Sequence, residues 1–255
     1  MNLSKNKVKW ITSLQIKKFR QNFHKFPVEG DKIVQELLRD SNWEVHELYA
    51  LSPWLARNAT LLRRSGLLVT EVGAEELSRI SAMQAPQQAL AIVEMQVLPV
   101  RTDLVCADMS LYLDGIQDPG NLGAILRIAD WFGIRHVFLS PDTVEVFNPK
   151  VIQASMGAFL RICTEVTSLE NLKSRFRELT VLGADLQGES VFRMHGAPSA
   201  TLIVIGNEGT GISPACQALL DGTLTIPRHA AGAAESLNAA VATGIIVAAL
   251  RNNFS

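Results

Sequence analysis

From Leu104 to the C-terminus, short apolar runs alternate with helix-like stretches, and this alternation constrains the fold more than any other feature. The strand candidates are Ser110–Asp114, His136–Leu139, Thr180–Ala184, Leu202–Gly206 and Thr223–Ile226. Between them, helices are expected over Asn121–Phe132, Pro149–Met156, Leu169–Glu178, Pro214–Leu220 and Ser236–Arg251. Strands that alternate with helices pair in parallel and are covered on both faces. Such sheets bind ligands at the carboxyl ends of their strands. In this chain several Gly/Asn/Ser-rich loops fall at those ends.

The first hundred residues read as a smaller α/β unit. Helices are expected over Ile11–Phe23 and Asp31–Arg39, and strands over Glu44–Leu51, Leu67–Val72 and Ala89–Val97. Pro99 to Asp103 interrupts the pattern, which predicts domains at 1–100 and 104–255. An apolar content of 47% with a net charge of −1 excludes a disordered chain. The longest near-apolar run, Ala239–Leu250, is too short for the roughly 20 residues of a membrane span. Basic Met1–Trp10 has no apolar segment behind it, so a secretory signal is not expected. Cys106, Cys163 and Cys216 are widely spaced and show no metal-ligand pattern, as in a reducing cytoplasm.

Charge is unevenly placed. Residues 1–25 carry Lys5, Lys7, Lys9, Lys17, Lys18, Arg20 and Lys25 and no acidic residue. Such an arm can follow phosphates, or it can be a solvated, frayed terminus.

Three loops could carry chemistry. In the first, Asp114 to Arg127, a strand ends in a Gly/Pro/Asn turn and a helix begins near Asn121. The free N–H groups of a helix start attract anions. Arg127 can meet a phosphate or carboxylate while Asn121 orients a ligand; the plainer reading is a capping Asn and a surface Arg. In the second, strand Leu202–Gly206 runs into Gly206-Asn-Glu-Gly-Thr-Gly211, where closely spaced glycines let a ligand approach the backbone. It lacks the Gly-Lys-Ser/Thr of a P-loop and reverses G-x-G-x-x-G. Glu208 is an acidic group among glycines, a poor place for a nucleotide triphosphate; the plainer reading is a turn with Glu208 as a helix-start carboxylate. The third runs from Ile226 to Asn238 into a helix rich in Ala and Gly, suited to close packing or a subunit interface. Ser236 and Asn238 either cap that helix or contact a ligand. His24, His46, His136, His195 and His229 form no i, i+4 pair, so no metal site is expected.

Together, in this order and spacing, the loops resemble the SpoU (TrmH-like) family of S-adenosylmethionine-dependent RNA 2′-O-ribose methyltransferases. Asp118-Pro-Gly-Asn-Leu-Gly-Ala-Ile-Leu-Arg127 resembles the family's first motif. Ile205-Gly-Asn-Glu-Gly-Thr-Gly-Ile-Ser213 resembles its second, and Ile226-Pro with Glu235-Ser-Leu-Asn238 its third. Phe147 to Ala158 resembles the segment between motifs one and two. Val28-Glu29-Gly30 and Pro86-Gln87 resemble the family's RNA-binding extension. Two features depart from the pattern: seven residues, Arg228–Ala234, where about five are usual, and Gln153 where Arg is usual.

The resemblance implies a parallel α/β sheet with a deep trefoil knot, a homodimer and an RNA substrate, ribosomal more than transfer RNA. It implies S-adenosylmethionine held by Gly206, Gly209, Ile226, Ser236 and Leu237, and no metal. It implies catalysis by Arg127, with Asn121, Glu208, Ser236 and Asn238 in support. Arg127 and the basic residues Lys17, Lys18, Arg20 and Lys25 are the expected RNA contacts. Two other classes compete. A non-catalytic RNA-binding or assembly protein would keep the pocket without turnover. A nucleotide-dependent oxidoreductase would need the missing G-x-G-x-x-G.

Overall fold

A computed structural model describes residues 3–40, 42–63, 67–194 and 199–251 of the chain; His195 lies outside them. The chain forms two compact units. One comprises Met1–Gln96 and Phe147–Leu160, the other Val97–Val146 and Arg161–Ser255.

In the first unit, strands β1 (Lys25–Glu29), β2 (Val45–Ala50), β3 (Leu68–Glu71) and β4 (Ala89–Glu94) form a sheet in the order β1-β4-β2-β3. β4 is antiparallel to both neighbours and β3 parallel to β2. Strand β1 has no counterpart in the sequence reading, because Pro27 removes a ladder donor. It lies at the sheet edge, where a proline is tolerated. Leu90, Ile92 and Tyr49 pack with Ile11, Leu14, Leu77 and Ile80. A second cluster joins Phe26 to Phe147, with ring centroids 4.7 Å apart, and Trp43 to Phe159 at 5.3 Å. Trp43 Nε1 donates to the Leu160 carbonyl at 3.1 Å. The segment resembling the link between motifs one and two therefore folds into the first unit.

The expected helix over Ile11–Phe23 is two helices, Lys5–Ser13 and Lys17–Phe23. The first begins earlier because the Ser4 side chain caps the Lys7 N–H. It ends because the Thr12 and Ser13 hydroxyls turn back to the carbonyls of Val8, Lys9 and Trp10. The amides of Leu14, Gln15 and Ile16 then bond only three residues back, and Ile16 is extended. This break turns Arg20 inward. It is 2% exposed and donates to the Leu14 carbonyl at 2.8 Å, so it holds the helix pair together and is corrected from the expected phosphate contacts.

A buried carboxylate anchors the same region. Lys7 Nζ donates to Glu47 at 2.8 and 3.1 Å, and the Tyr49 hydroxyl donates to it as well. Burial pushes the Glu47 carboxyl up, but the bonds from Lys7 and Tyr49 and the nearby His46 more than offset this and hold it below the ordinary range. A depressed folded pKa stabilises the fold above the unfolded value of about 4.3, and that contribution disappears as pH falls through the folded value. Melting temperature measured against pH is expected to fall more steeply below about pH 4.3 in the wild type than in Glu47→Gln.

In the second unit, β5 (Ser110–Asp114), β6 (His136–Leu139), β7 (Cys163–Val166), β8 (Thr180–Ser190), β9 (Thr201–Gly206) and β10 (Gly222–Thr225) form a parallel sheet in the order β10-β8-β9-β5-β6-β7. Strands β5, β6 and β9 are almost wholly buried, which is why they read as continuous apolar runs. β7, absent from the sequence reading, is a short edge strand carrying Thr164 and Glu165. β8 runs six residues past the expected Ala184. Its register with β10 jumps from Gly183 to Glu189 between Thr223 and Leu224.

Two helix starts differ from expectation. The helix Pro119–Trp131 begins before Asn121, because Asp118 accepts from the Asn121 N–H and Pro119 occupies the first turn. The final helix, Ala239–Arg251, begins after Ser236. Asn238 Oδ1 caps it, accepting from the N–H groups of Ala240 and Val241 at 3.0 and 3.2 Å. The two helices pack together; a Cβ on Gly244 would lie 3.5 Å from Ile128. Among the described residues no helix is long and apolar enough to cross a membrane.

Candidate functional site

The first two loops leave the sheet side by side, since β5 and β9 are neighbours with Asp114 opposite Gly206. Asp114 Oδ2 accepts from the Ser213 N–H at 2.7 Å. The second loop closes on itself: Asn207 N–H donates to the Gly211 carbonyl at 3.0 Å, and Gly211 N–H returns a bond at 2.9 Å. Asn207 Oδ1 accepts from Gly209 and Thr210, and its Nδ2 donates to the Gly115 carbonyl at 2.8 Å. One side chain therefore shapes the second loop and clips it to the first. At Gly206 the backbone crosses so closely that a Cβ would lie 2.3 Å from Gly211 C and 2.4 Å from Ile212 N.

The shaped loop presents Glu208 outward, where its carboxylate accepts from Asn121 Nδ2. Asn121 Oδ1 accepts in turn from Asn238 Nδ2 at 2.8 Å. The sense of this relay is fixed from both ends. Asn238 must present its oxygen to the helix N–H groups, so its amino group must donate to Asn121. The amino group of Asn121 then faces the acceptor-only carboxylate of Glu208. Residues 87 and 117 positions apart in sequence are thus tied into one constellation.

The other expected site residues divide by position. Gly206 and Gly209 belong to the loop that carries Glu208. Unlike Gly206, Gly209 faces open space, with only Asn207 Oδ1 at 3.5 Å from a built Cβ. Ile226 follows β10, half-buried, and Ser236 and Leu237 are exposed next to Asn238. The longer stretch Arg228–Ala234 folds on itself, with Arg228 donating to the Ala234 carbonyl at 3.1 Å and Gly232 N–H to the His229 carbonyl at 2.8 Å. Arg127 lies six residues beyond Asn121 on the same helix. It is exposed and makes no hydrogen bond or ion pair among the described residues. On the first unit Lys17 and Lys18 are exposed, whereas Lys25 pairs with Glu94 at 2.6 Å. Among the described residues no group of three or more His, Cys, Asp or Glu could hold a metal ion.

Sequence reasoning passed over two residues with structural work at the site. Asp118 caps the Asn121 helix, and the Asp-Pro pair before a helix is the signal for it. Asn207 shapes the second loop, and an Asn between a buried strand and a glycine is a turn signal of the same kind.

Comparison with known proteins gives this site a context. Residues 108–248 match the SpoU rRNA Methylase family, and residues 5–91 match the MRM3-like substrate binding domain. The chain is 31% identical to the 23S rRNA (guanosine(2553)-2′-O)-methyltransferase RlmP of Bacillus subtilis over 96% of each chain. The crystal structure of AdoMet-bound rRNA methyltransferase from Sinorhizobium meliloti superposes with a TM-score of 0.87 at 28% identity, covering 100% of this chain and 97% of that one. The SpoU methyltransferase AviRb from Streptomyces viridochromogenes, in complex with AdoMet, superposes at 0.82 with 27% identity over 99% of each chain. With this fold, and with its three loops joined through Asn121, the chain belongs to the SpoU rRNA methylase family.

Proposed function

We infer that this chain is an RNA 2′-O-methyltransferase that transfers a methyl group from S-adenosylmethionine to a ribose 2′-hydroxyl, ribosomal RNA being favoured over transfer RNA. The observation that carries the reading is the relay Glu208–Asn121–Asn238, which assembles three motif loops at the carboxyl end of a parallel sheet. The bacterial relatives that act on 23S rRNA and the AdoMet-bound structural neighbours support the substrate and cofactor.

The residues present fit the cofactor. The loop folded tightly at Gly206 and the partly exposed apolar side chains of Ile226 and Leu237 suit an adenosyl group, with Ser236 adjacent. S-adenosylmethionine supplies a methyl group activated by its sulfonium. The remaining tasks fall to the protein. Ordered loops hold the reacting atoms in line, which lowers the barrier through orientation. Asn121 and Asn238, locked by the relay, orient the ribose toward Arg127, which shares a helix with Asn121. A guanidinium is a poor base. The free guanidinium of Arg127 grips a phosphate and stabilises charge developing on the 2′-oxygen.

The 1–100 domain binds RNA and the 104–255 domain carries out the reaction. Exposed Lys17 and Lys18 contribute phosphate contacts, and Lys25 contributes less because Glu94 holds it. A homodimer is supported by the paired helices, which leave Trp131 83% exposed on one and Val241 51% exposed on the other. A trefoil knot is supported by the chain path. After β9 the chain runs out to β10 at the far edge and then returns to pack on the 119–131 helix. A cytoplasmic location accords with three free cysteines and an RNA substrate; burial pushes the Cys163 thiol up to about 11.

The test is transfer of radiolabel from S-adenosylmethionine into ribosomal RNA that lacks the modification. Label recovered in an alkali-resistant dinucleotide establishes ribose 2′-O chemistry. Cofactor binding without transfer would replace this reading with that of a non-catalytic assembly protein. Asn121→Asp sets a carboxylate against Glu208 and removes the central donor. It is expected to weaken cofactor binding by about tenfold or more, as breaking a buried or clustered charge-assisted bond does, read by titration calorimetry. Glu208→Gln, which keeps an acceptor oxygen, is expected to lose less.

A further inference from the structure

The first unit carries a surface that the methyl-transfer reading leaves unexplained. Trp10 lies edge-on to Phe23, with ring centroids 6.1 Å apart, and edge-on to His46 at 6.4 Å. Phe19 stacks behind Phe23 at 6.4 Å and 16°. Phe23 is 41% exposed, although a large aromatic side chain gains most by burial, and the His46 side chain is exposed as well. Lys7 Nζ sits 4.7 Å from the Trp10 ring centre, fixed there by its two bonds to Glu47. The nearby carboxylates are both engaged, Glu47 by Lys7 and Glu94 by Lys25, and His46 faces them at 3.5 and 3.7 Å. Lys9, next to Trp10 in sequence, and Lys17 and Lys18, on the helix that carries Phe19 and Phe23, are exposed, on a stretch of 25 residues without an acidic side chain.

A ring cluster with Phe23 and His46 exposed and Trp10 half-buried, on a basic stretch, matches a ligand that is both polyanionic and aromatic. We propose that Trp10, Phe23 and His46 form a stacking platform for unpaired bases of the RNA substrate, with Lys9, Lys17 and Lys18 on its phosphates. This rests on the reading of the chain as an RNA-modifying enzyme. Stacking on aromatic side chains is how proteins hold single-stranded or looped RNA, because every base offers a π-face. A regular duplex keeps its bases stacked on one another and would meet only the lysines. The platform therefore selects a looped or unwound element over a continuous helix.

The experiment uses the full chain and a labelled single-stranded RNA of about 12 nucleotides, within the usual site size, alongside its abasic analogue and a duplex. Phe23→Ala is expected to weaken binding of the single strand about tenfold without changing the salt dependence. Phe23→Trp restores binding. Lys17→Gln lowers the salt slope by about one and spares the preference for unpaired bases. His46→Ala provides a second variant that leaves Phe23 in place, and it too is expected to weaken the single strand. Binding by Phe23→Ala and His46→Ala at the wild-type level overturns the platform. So does an equal loss on abasic or duplex RNA. A change in molecular mass by light scattering in Phe23→Ala would show that a second copy covers the rings, and also overturns it. The two readings fail separately: wild-type protein that binds RNA through Phe23 but transfers no methyl group refutes the enzyme alone, and transfer with binding indifferent to Phe23 refutes the platform alone.

Discussion

Arg127→Ala is expected to lower kcat for methyl transfer by about 10²–10⁴, the range associated with removing a group that stabilises developing charge or moves a proton. The expectation follows from what Arg127 lacks. It is exposed and has no hydrogen bond or ion pair among the described residues, so its removal leaves no group unsatisfied. Folding stability is expected to change by no more than about 0.5 kcal/mol, as at an ordinary surface position. Cofactor affinity is expected to stay within about twofold, because the cofactor loops are held by Glu208, Asn121 and Asn238 and not by Arg127. Arg127→Lys keeps the charge but loses the planar fork that grips a phosphate, so it recovers only part of the rate. Single-turnover transfer with saturating cofactor, together with calorimetric binding, separates these effects. A rate within threefold of wild type in Arg127→Ala would remove Arg127 from the reaction.

The second large effect lies in the backbone. Gly206→Ala places a methyl group 2.3 Å from Gly211 C and 2.4 Å from Ile212 N, with Gly211 O at 2.6 Å. All three are main-chain atoms of a loop closed by its own hydrogen bonds, so nothing can rotate aside. The loop must open or β9 must shift, and overpacking of this kind costs about 1–3 kcal/mol or more. Cofactor binding is expected to be lost beyond detection and the melting temperature to fall. Gly209→Ala, two residues from Asn207 on the same turn, meets only Asn207 Oδ1 at 3.5 Å. It is expected to fold and to keep most cofactor affinity. If both variants behave alike in calorimetry and thermal melting, the close crossing at Gly206 is not what shapes the pocket.

Much of this could be read from the sequence because the second unit is layered. Buried parallel strands such as β5 and β9 need apolar side chains on both faces, so they appear as unbroken runs ending at glycine or aspartate. The motif loops follow directly from those ends. Two of the four edge strands were hidden: β1 by Pro27, and β7 by its polar Thr164 and Glu165. The relay was partly legible. Asn121, Glu208 and Asn238 stood out as polar groups in glycine-rich loops, but their mutual bonds depend on tertiary path. Of the two readings of Asn121, the capping one fails because Asp118, three residues earlier, takes that role. Charge alone also misplaced Arg20. A basic run shows where phosphates can be met, but it does not say which cation the fold turns inward to satisfy a carbonyl.

The aromatic cluster of the first unit has a consequence for how the protein is made. Trp43 donates to the carbonyl of Leu160, 117 residues later, and Phe26 packs on Phe147 and Phe159. A ribosome adding about 5–20 residues per second releases these partners roughly 5–23 s after Trp43. Through that interval the nascent first unit has its sheet but not the rings that close one face. Completion of the N-terminal unit therefore waits on synthesis of the middle of the chain.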